Sequence, residues 1–152
     1  DMFDCVWPTR TAVSLYSPYP PYILTKQRFG NAITSRGILN LRNAIYSEDF
    51  GPIEEGCNCT CCRPASEGGL GITRAYVYHV TAKETAGAHL LTMHNVHYQL
   101  NLMRLAREAI MEDRYPQFVK DFFSQLYNGD KGKYPKWAVD ALKGVGVDLS
   151  SD

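Results

Sequence analysis

The sequence predicts a mixed α/β chain in which short strands come first and helices last. Three observations carry this. Between residues 30 and 56, β-like runs are cut short by glycines. Four cysteines crowd into the stretch Cys57-Asn58-Cys59-Thr60-Cys61-Cys62. Beyond residue 90, apolar side chains return at helical spacing.

Residues 1–8, DMFDCVWP, alternate and hold aromatic and β-branched types, which predicts a short strand ending at Pro8. Residues 13–27, VSLYSPYPPYILTKQ, contain Pro18, Pro20 and Pro21, which exclude regular helix and central strand. Asn31–Thr34 and Ile38–Leu41 are the next β-like runs, set off by Gly30 and Gly37. Gly68, Gly69 and Gly71 predict a flexible loop. Thr73 then caps a helical stretch, TRAYVYHVTAKETAG, with Gly87 as its stop. The strongest helix is expected over about residues 93–111, with Val96, Leu100, Met103 and Ile110 giving one apolar face. A helix beginning near Pro116 turns Phe118, Val119, Phe122, Phe123 and Leu126 inward. Pro135 opens a last helix, which carries Trp137 and Leu142 and stops at Gly144. The tail, SSD, is expected to fray. No internal repeat is visible.

Composition narrows the function classes. The 152 residues amount to about one ordinary domain, and 45% hydrophobic residues are enough for a packed core. Collagen, coiled coil and disordered tail are excluded. Lys plus Arg is 16 and Asp plus Glu is 16, so the chain is not a strongly basic nucleic-acid module, although a local patch remains open. No apolar run is long enough for a membrane span. No basic segment followed by an apolar one announces a signal peptide. The opening Asp1-Met2 reads as the interior of a longer protein.

The five cysteines are an odd, crowded set and a poor disulfide framework. A thiolate metal site in a reducing compartment explains them better. Cys57, Cys59 and Cys62 form C-x-C-x-x-C and supply three soft ligands; Cys61 is a spare thiol. A closed tetrahedral Zn2+ site needs a fourth ligand, and His79, His89, His94 and His97 are all candidates by spacing. Three thiolates and one imidazole leave no open position, so the expected role of the metal is structural.

A family resemblance enters at Asp1–Ala12, DMFDCVWPTRTA, with Arg28-Phe29-Gly30. It continues through Asn40-Leu41-Arg42-Asn43, Asp49-Phe50, Pro52-Ile53 and the C-x-C-x-x-C. It then runs through Arg74-Ala75-Tyr76, Leu91-Thr92-Met93-His94-Asn95, Gln99-Leu100, Leu102-Met103 and the closing PKWAVDALKGVGV. With these motifs the chain resembles the queuine tRNA-ribosyltransferase (tRNA-guanine transglycosylase) family, and its end resembles the eukaryotic catalytic subunit. The resemblance implies the C-terminal part of an irregular (β/α)8 TIM barrel with an inserted zinc-binding subdomain, followed by closing helices. Residues 1–12 become the last barrel strand and catalytic loop, 13–27 an atypical insertion, 28–94 the zinc subdomain and 95–152 the closing helices. The earlier strands would lie upstream of this chain.

The resemblance also implies the chemistry. The family exchanges guanine at the tRNA wobble position for queuine, without an energy cofactor. Breaking a glycosidic bond builds oxocarbenium character, which a carboxylate can stabilise and then capture as a covalent sugar–enzyme intermediate. By motif, Asp4 is that nucleophile, at the strand end where barrel enzymes keep their catalytic groups. The second carboxylate of such a mechanism would lie upstream, so this fragment alone is expected to be inactive. Arg10 and Arg28, with Thr9, Thr11 and Ala12, match the family's RNA contacts, and a guanidinium fork suits base edges and phosphates. His94 becomes the fourth zinc ligand. Implied partners are tRNA with a GUN anticodon, queuine and a related non-catalytic subunit in a heterodimer. The implied location is the cytoplasm, with association at the mitochondrial surface.

The family pattern runs directly from Ala12 to Arg28, whereas here Val13–Gln27 intervenes. Val-Ser is encodable by a splice-donor sequence and Gln by an acceptor end, so the segment reads as translated intron, a hypothesis that a mature transcript retaining these codons overturns. The competing reading is a Tyr/Pro platform that stacks on bases. Arg63–Ile72 reads as a lineage-specific surface loop. Two other functions are weighed: the non-catalytic partner subunit, against which Asp4 within DMFDCV argues, and a zinc-stabilised interaction module derived from the enzyme.

Overall fold

The structure, a computed structural model, describes residues 30–81 and 85–149. The expected strand 1–8, the segment 13–27 and the tail 150–152 lie outside them. The described elements are strands β1 (Asn31–Thr34) and β2 (Gly37–Asn40), then helices α1 (Arg74–Thr81), α2 (Thr85–Met111), α3 (Tyr115–Leu126) and α4 (Lys136–Gly144). Among the described residues no helix is long and apolar enough to cross a membrane. The chain forms two compact units. One holds β1, residues 38–73, α1 and α2 as far as Asn101; the other holds 35–37 and everything from Leu102 onward.

Ser35 and Arg36 turn β1 into β2, and a loop this short makes the pairing antiparallel. Gly37 takes φ +108° at the exit of the turn, where a residue with a Cβ is disfavoured. All of β1 is buried, whereas β2 is not. The core joins Ala32, Leu41, Ile53, Val77 and Leu91 to Cys59, Cys61 and Cys62.

The loop after β2 is latched to the start of α1. The N–H of Arg74 donates to Gly51 O (2.9 Å), and that of Ala75 to Asp49 O (2.8 Å). The Arg74 guanidinium donates to Asp49 Oδ2 at 3.1 Å and to Ile53 O at 3.3 Å. Asp49 Oδ1 accepts the Gly51 N–H at 3.0 Å. That N–H first, and Arg74 second, hold the Asp49 carboxyl below its ordinary value. Thr73 caps α1 as expected, its hydroxyl accepting the Tyr76 N–H at 3.1 Å.

The single helical stretch expected from Thr73 to Gly87 is two helices. Gly87 is not a stop; it lies inside α2. A Cβ there would meet the Thr81 backbone at 2.9 Å, so the glycine serves close helix approach. The apolar face expected on the long helix is not its buried face. Val96, Leu100 and Ile110 are 38%, 67% and 61% exposed. The buried face is instead Ala88, Leu91, His94, Asn95 and Ala109. Two of its members are polar, so a pattern read from apolar residues alone selects the wrong side.

In the second unit, Phe118 and Phe123 of α3 pack with Leu142 and Val139 of α4 around Val119, Val147 and Leu149. Tyr134 stands edge-on to Phe123 with ring centroids 5.5 Å apart. Helices α2 and α3 end on left-handed Asp113 (φ +56°) and Asn128 (φ +52°). Helix α4 ends at Gly144, as expected, and Gly146 (φ +85°) takes the left-handed position just beyond it. The Val147 N–H reaches back to Leu142 O at 2.9 Å, and Gly146 N–H to Lys143 O at 3.1 Å. This is the two-bond C-terminal motif in which a glycine takes the left-handed position.

Two expectations follow. Gly87→Ala should lower the unfolding free energy read from urea titration by about 1–3 kcal/mol through overpacking, although alanine is the better helix former; a raised stability would sink the close-approach account. Asp49 carries a lowered folded pKa, so its contribution to stability is present above the unfolded value near ~3.9 and is lost as pH falls through the lower folded value. The stability gap between the parent chain and Asp49→Asn, read from urea unfolding, should therefore be full at about pH 6 and narrow towards about pH 3.

Candidate metal centre

The cysteine loop is a tight knuckle. Arg63 N–H donates to Cys59 O at 3.0 Å, and Cys62 N–H to Cys59 Sγ at 3.3 Å. A strap lies along it: Leu70 N–H donates to Thr60 O, and Ile72 N–H to Cys61 O, both at 2.8 Å. The glycines expected to make a flexible loop belong to this strap. A Cβ on Gly69 would fall 1.9 Å from Arg63 O, so only glycine fits, and the reason is contact rather than slack.

The knuckle presents three sulfurs to α2. Nδ1 of His94 lies 3.4 Å from Cys62 Sγ, 3.5 Å from Cys59 Sγ and 3.8 Å from Cys57 Sγ. The four ligand atoms all lie within 4.8 Å of one another, and His94 is fully buried. A tetrahedral ion with bonds of ~2.3 Å to sulfur and ~2.05 Å to nitrogen has sulfur–nitrogen edges of about 3.6 Å. The observed spacings bracket that value, so the donor set fits a four-coordinate ion and fills its positions. Among the described residues this is the one group of donors placed to hold a metal, and His79, His89 and His97 stand outside it.

The far side of the imidazole fixes its tautomer. Nε2 lies 3.0 Å from Ile33 O, so by geometry it carries the proton and donates, leaving the Nδ1 lone pair to the sulfurs. Burial pulls the imidazole pKa down most strongly, but hydrogen bonds and charge from Cys57 and Cys59 outweigh it and push it up to about 10. Cys59 is driven down by hydrogen bonds from Cys57, Cys61 and Cys62. Cys62 is driven up by hydrogen bonding to Cys57 and Cys59 and by burial. The donors thus compete for protons, a competition that coordination ends by deprotonating the thiols. Cys61 is not one of the four donors, and its thiol donates to Leu90 O at 3.3 Å.

Sequence reasoning missed the neighbour of His94. Asn95 is fully buried; its Oδ1 accepts Ile33 N–H at 2.8 Å and its Nδ2 donates to Asn31 O at 3.1 Å. The motif Met93-His94-Asn95 contains it, but nothing in that spacing assigns it a task. The expected nucleophile Asp4 and the expected RNA contacts Thr9, Arg10, Thr11, Ala12 and Arg28 lie outside the described residues.

Comparison with known proteins extends the picture. A family model described as queuine tRNA-ribosyltransferase matches residues 1–128. The chain is 54% identical to the queuine tRNA-ribosyltransferase catalytic subunit of Schizosaccharomyces pombe over 149 residues, which are 98% of this chain and 33% of that protein. It is 36% identical to the catalytic subunit of Caenorhabditis elegans over 162 residues, 98% of this chain and 35% of that protein. It is 43% identical to the queuine tRNA-ribosyltransferase of Listeria innocua over 126 residues, 82% of this chain and 27% of that protein. The chain therefore spans about a third of the length of the curated relatives it matches.

The geometry separates the four clustered cysteines. Cys59→Ala should lose the bound metal, whereas Cys61→Ala should keep about one equivalent per chain. Elemental analysis after dialysis reads the difference, and equal loss from both variants would mean that Cys61 is a ligand.

Proposed function

The chain belongs to the queuine tRNA-ribosyltransferase family, and we propose that it is the C-terminal part of a catalytic subunit that exchanges guanine at the tRNA wobble position for queuine. The observation that carries this reading is the 54% identity to a catalytic subunit along 98% of the chain. The buried Cys57, Cys59, Cys62 and His94 cluster supports it. In this reading residues 28–94 are the metal subdomain and 95–152 the closing helices, next to a barrel supplied mainly by upstream sequence.

Asp4 is the proposed nucleophile. Its carboxylate attacks the anomeric carbon of the wobble nucleotide as the bond to guanine breaks, giving a covalent ribosyl–aspartate intermediate. Queuine then attacks the same carbon from the vacated face, so configuration is retained. A second carboxylate, supplied upstream, serves as acid and base. Arg10 and Arg28, aided by Thr9, Thr11 and Ala12, hold the RNA around the reacting nucleotide. The ion is zinc, because a thiolate-rich tetrahedral N/S set favours it, and it supplies folding energy rather than reactivity. Cys57, Cys59, Cys62 and His94 hold it. The proposed assembly is a heterodimer with a related non-catalytic subunit in the cytoplasm, where reduced thiols persist.

The test uses the full-length protein with a tRNA bearing guanine at the wobble position. A denaturation-stable tRNA adduct is expected, and Asp4→Asn should abolish it and slow exchange by at least about 10³-fold. Residues 1–152 alone should show no exchange. An adduct that survives in Asp4→Asn sinks the nucleophile assignment. A full-length, metal-loaded protein with neither adduct nor exchange points instead to an interaction module.

A further inference from the structure

Two consecutive residues of α2 reach the same edge of β1. Gly30 O accepts the Leu41 N–H at 3.0 Å, which turns the even-numbered residues of β1 towards β2. By alternation, the N–H and carbonyl groups of residues 31 and 33 point the other way. Successive helix positions stand about 100° apart, so His94 and Asn95 approach that edge from adjacent angles. Asn95 Oδ1 accepts the Ile33 N–H at 2.8 Å, and Asn95 Nδ2 donates to Asn31 O at 3.1 Å. His94 Nε2 donates to Ile33 O at 3.0 Å. Ile33 therefore gives its N–H to one side chain and its carbonyl to the other. Asn31, Ile33, His94 and Asn95 are all buried, so water cannot replace a lost partner unless the packing opens.

We propose that Asn95 is a positioning residue for the metal centre: it pins Ile33, and the Ile33 carbonyl in turn holds the His94 ring with Nδ1 aimed at the three sulfurs. This rests on the reading of Cys57, Cys59, Cys62 and His94 as metal ligands. Asn95 itself is no ligand, since both ends of its amide are turned to β1. A ligating histidine depends on the acceptor at its other nitrogen, and that acceptor is only as fixed as the backbone that carries it. Asn95 grips β1 at two successive peptide groups, 31–32 and 32–33, and the Ile33 carbonyl belongs to the next one. A slide of β1 along its own axis would break both grips before it moved the His94 acceptor. An amide suits the task because it offers one acceptor and donors on a single side chain. Alanine offers neither. Aspartate keeps an acceptor for the Ile33 N–H but sets a second oxygen against the Asn31 carbonyl. Removing Asn95 leaves all four donors present and loosens the aim of one, so the quantity it controls is how firmly the ion is kept.

The experiment uses the full-length, zinc-loaded protein and compares Asn95→Ala with the parent and with Asp49→Asn. The second variant weakens the same unit at a latch bonded to Gly51 and Arg74, and so gives the zinc loss that reduced stability alone brings. Zinc release to excess EDTA should be at least about tenfold faster in Asn95→Ala than in Asp49→Asn, the low end for loss of an outer partner. The proton on His94 Nε2 is followed by nuclear magnetic resonance on isotope-labelled histidine, with zinc in excess. It should exchange with water at least about tenfold faster in Asn95→Ala and stay within about twofold of the parent in Asp49→Asn. Equal zinc release from the two variants overturns this inference alone, as does faster release with an unchanged Nε2 proton, because the effect then bypasses the ring. Where Asn95→Ala does not fold in excess zinc, the same readings on Asn95→Asp carry the same expectation. Failure of both variants to fold overturns the proposal, since the residue would then hold the fold and not the ring. A parent that binds no zinc overturns the metal reading, and this inference with it.

Discussion

The imidazole of His94 faces two ways, and the first compact unit is organised around that. Nδ1 looks towards three sulfurs at 3.4–3.8 Å, and Nε2 donates to the carbonyl of Ile33 at 3.0 Å. One ring therefore ties the cysteine knuckle, α2 and β1 together. The bond at Nε2 is the outer partner that a ligating histidine needs, since it fixes the tautomer and raises the basicity of the other nitrogen. Moving β1 would turn the ring, and turning the ring would move Nδ1 away from the sulfurs. Strand placement and metal geometry are thus one constraint.

Around this centre the loops are fixed by backbone bonds more than by apolar bulk. Residues 70–72 strap the knuckle, and Asp49 with Arg74 ties the loop after β2 to the start of α1. Asp49 and Arg74 are 30% and 23% exposed, so their charge attraction is only partly screened, and each also bonds to backbone. The loop after β2 acquires a definite path because its peptide groups have named partners and Leu41 and Ile53 are buried in the core. The glycines then have distinct tasks. Gly69 allows contact with Arg63, Gly87 allows contact with Thr81, and Gly37 closes a turn.

Legibility from sequence followed the kind of signal involved. Short strands bounded by Gly30 and Gly37, the Thr73 cap, and helices opened by Pro116 and Pro135 were all readable, because each depends on a local backbone preference. The cysteine spacing announced a metal site, but His94 could not be chosen from four histidines by spacing; the family resemblance singled it out. The orientation of α2 failed because its buried face carries His94 and Asn95, whose polar groups are satisfied by β1 across more than sixty positions of sequence. No local pattern encodes such a pairing. Gly87 misleads for the same reason. As a helix stop it would be a local signal, whereas its actual role is set by Thr81 on another helix.

The sulfurs have a second consequence for stability. Cys59, Cys61 and Cys62 are members of the same buried cluster as Ala32, Leu41, Ile53, Val77 and Leu91. Two of those cysteines, Cys59 and Cys62, also face His94, so the core and the metal centre share atoms. Without an ion, the buried imidazole and thiols must divide protons among themselves, which is why His94 and Cys59 shift in opposite directions. With an ion, the same donors become neutralised bonds inside an apolar shell. Structural sites of this class bind with about 10–16 kcal/mol, as large as the roughly 5–15 kcal/mol by which a whole domain is stable. A bound ion would add its contribution to that of the apolar side chains of the cluster, among them the fully buried Leu41, Ile53 and Leu91. Loading of a metal would then be coupled to folding of the first unit, because β1 is tied to the same centre through His94 and Asn95.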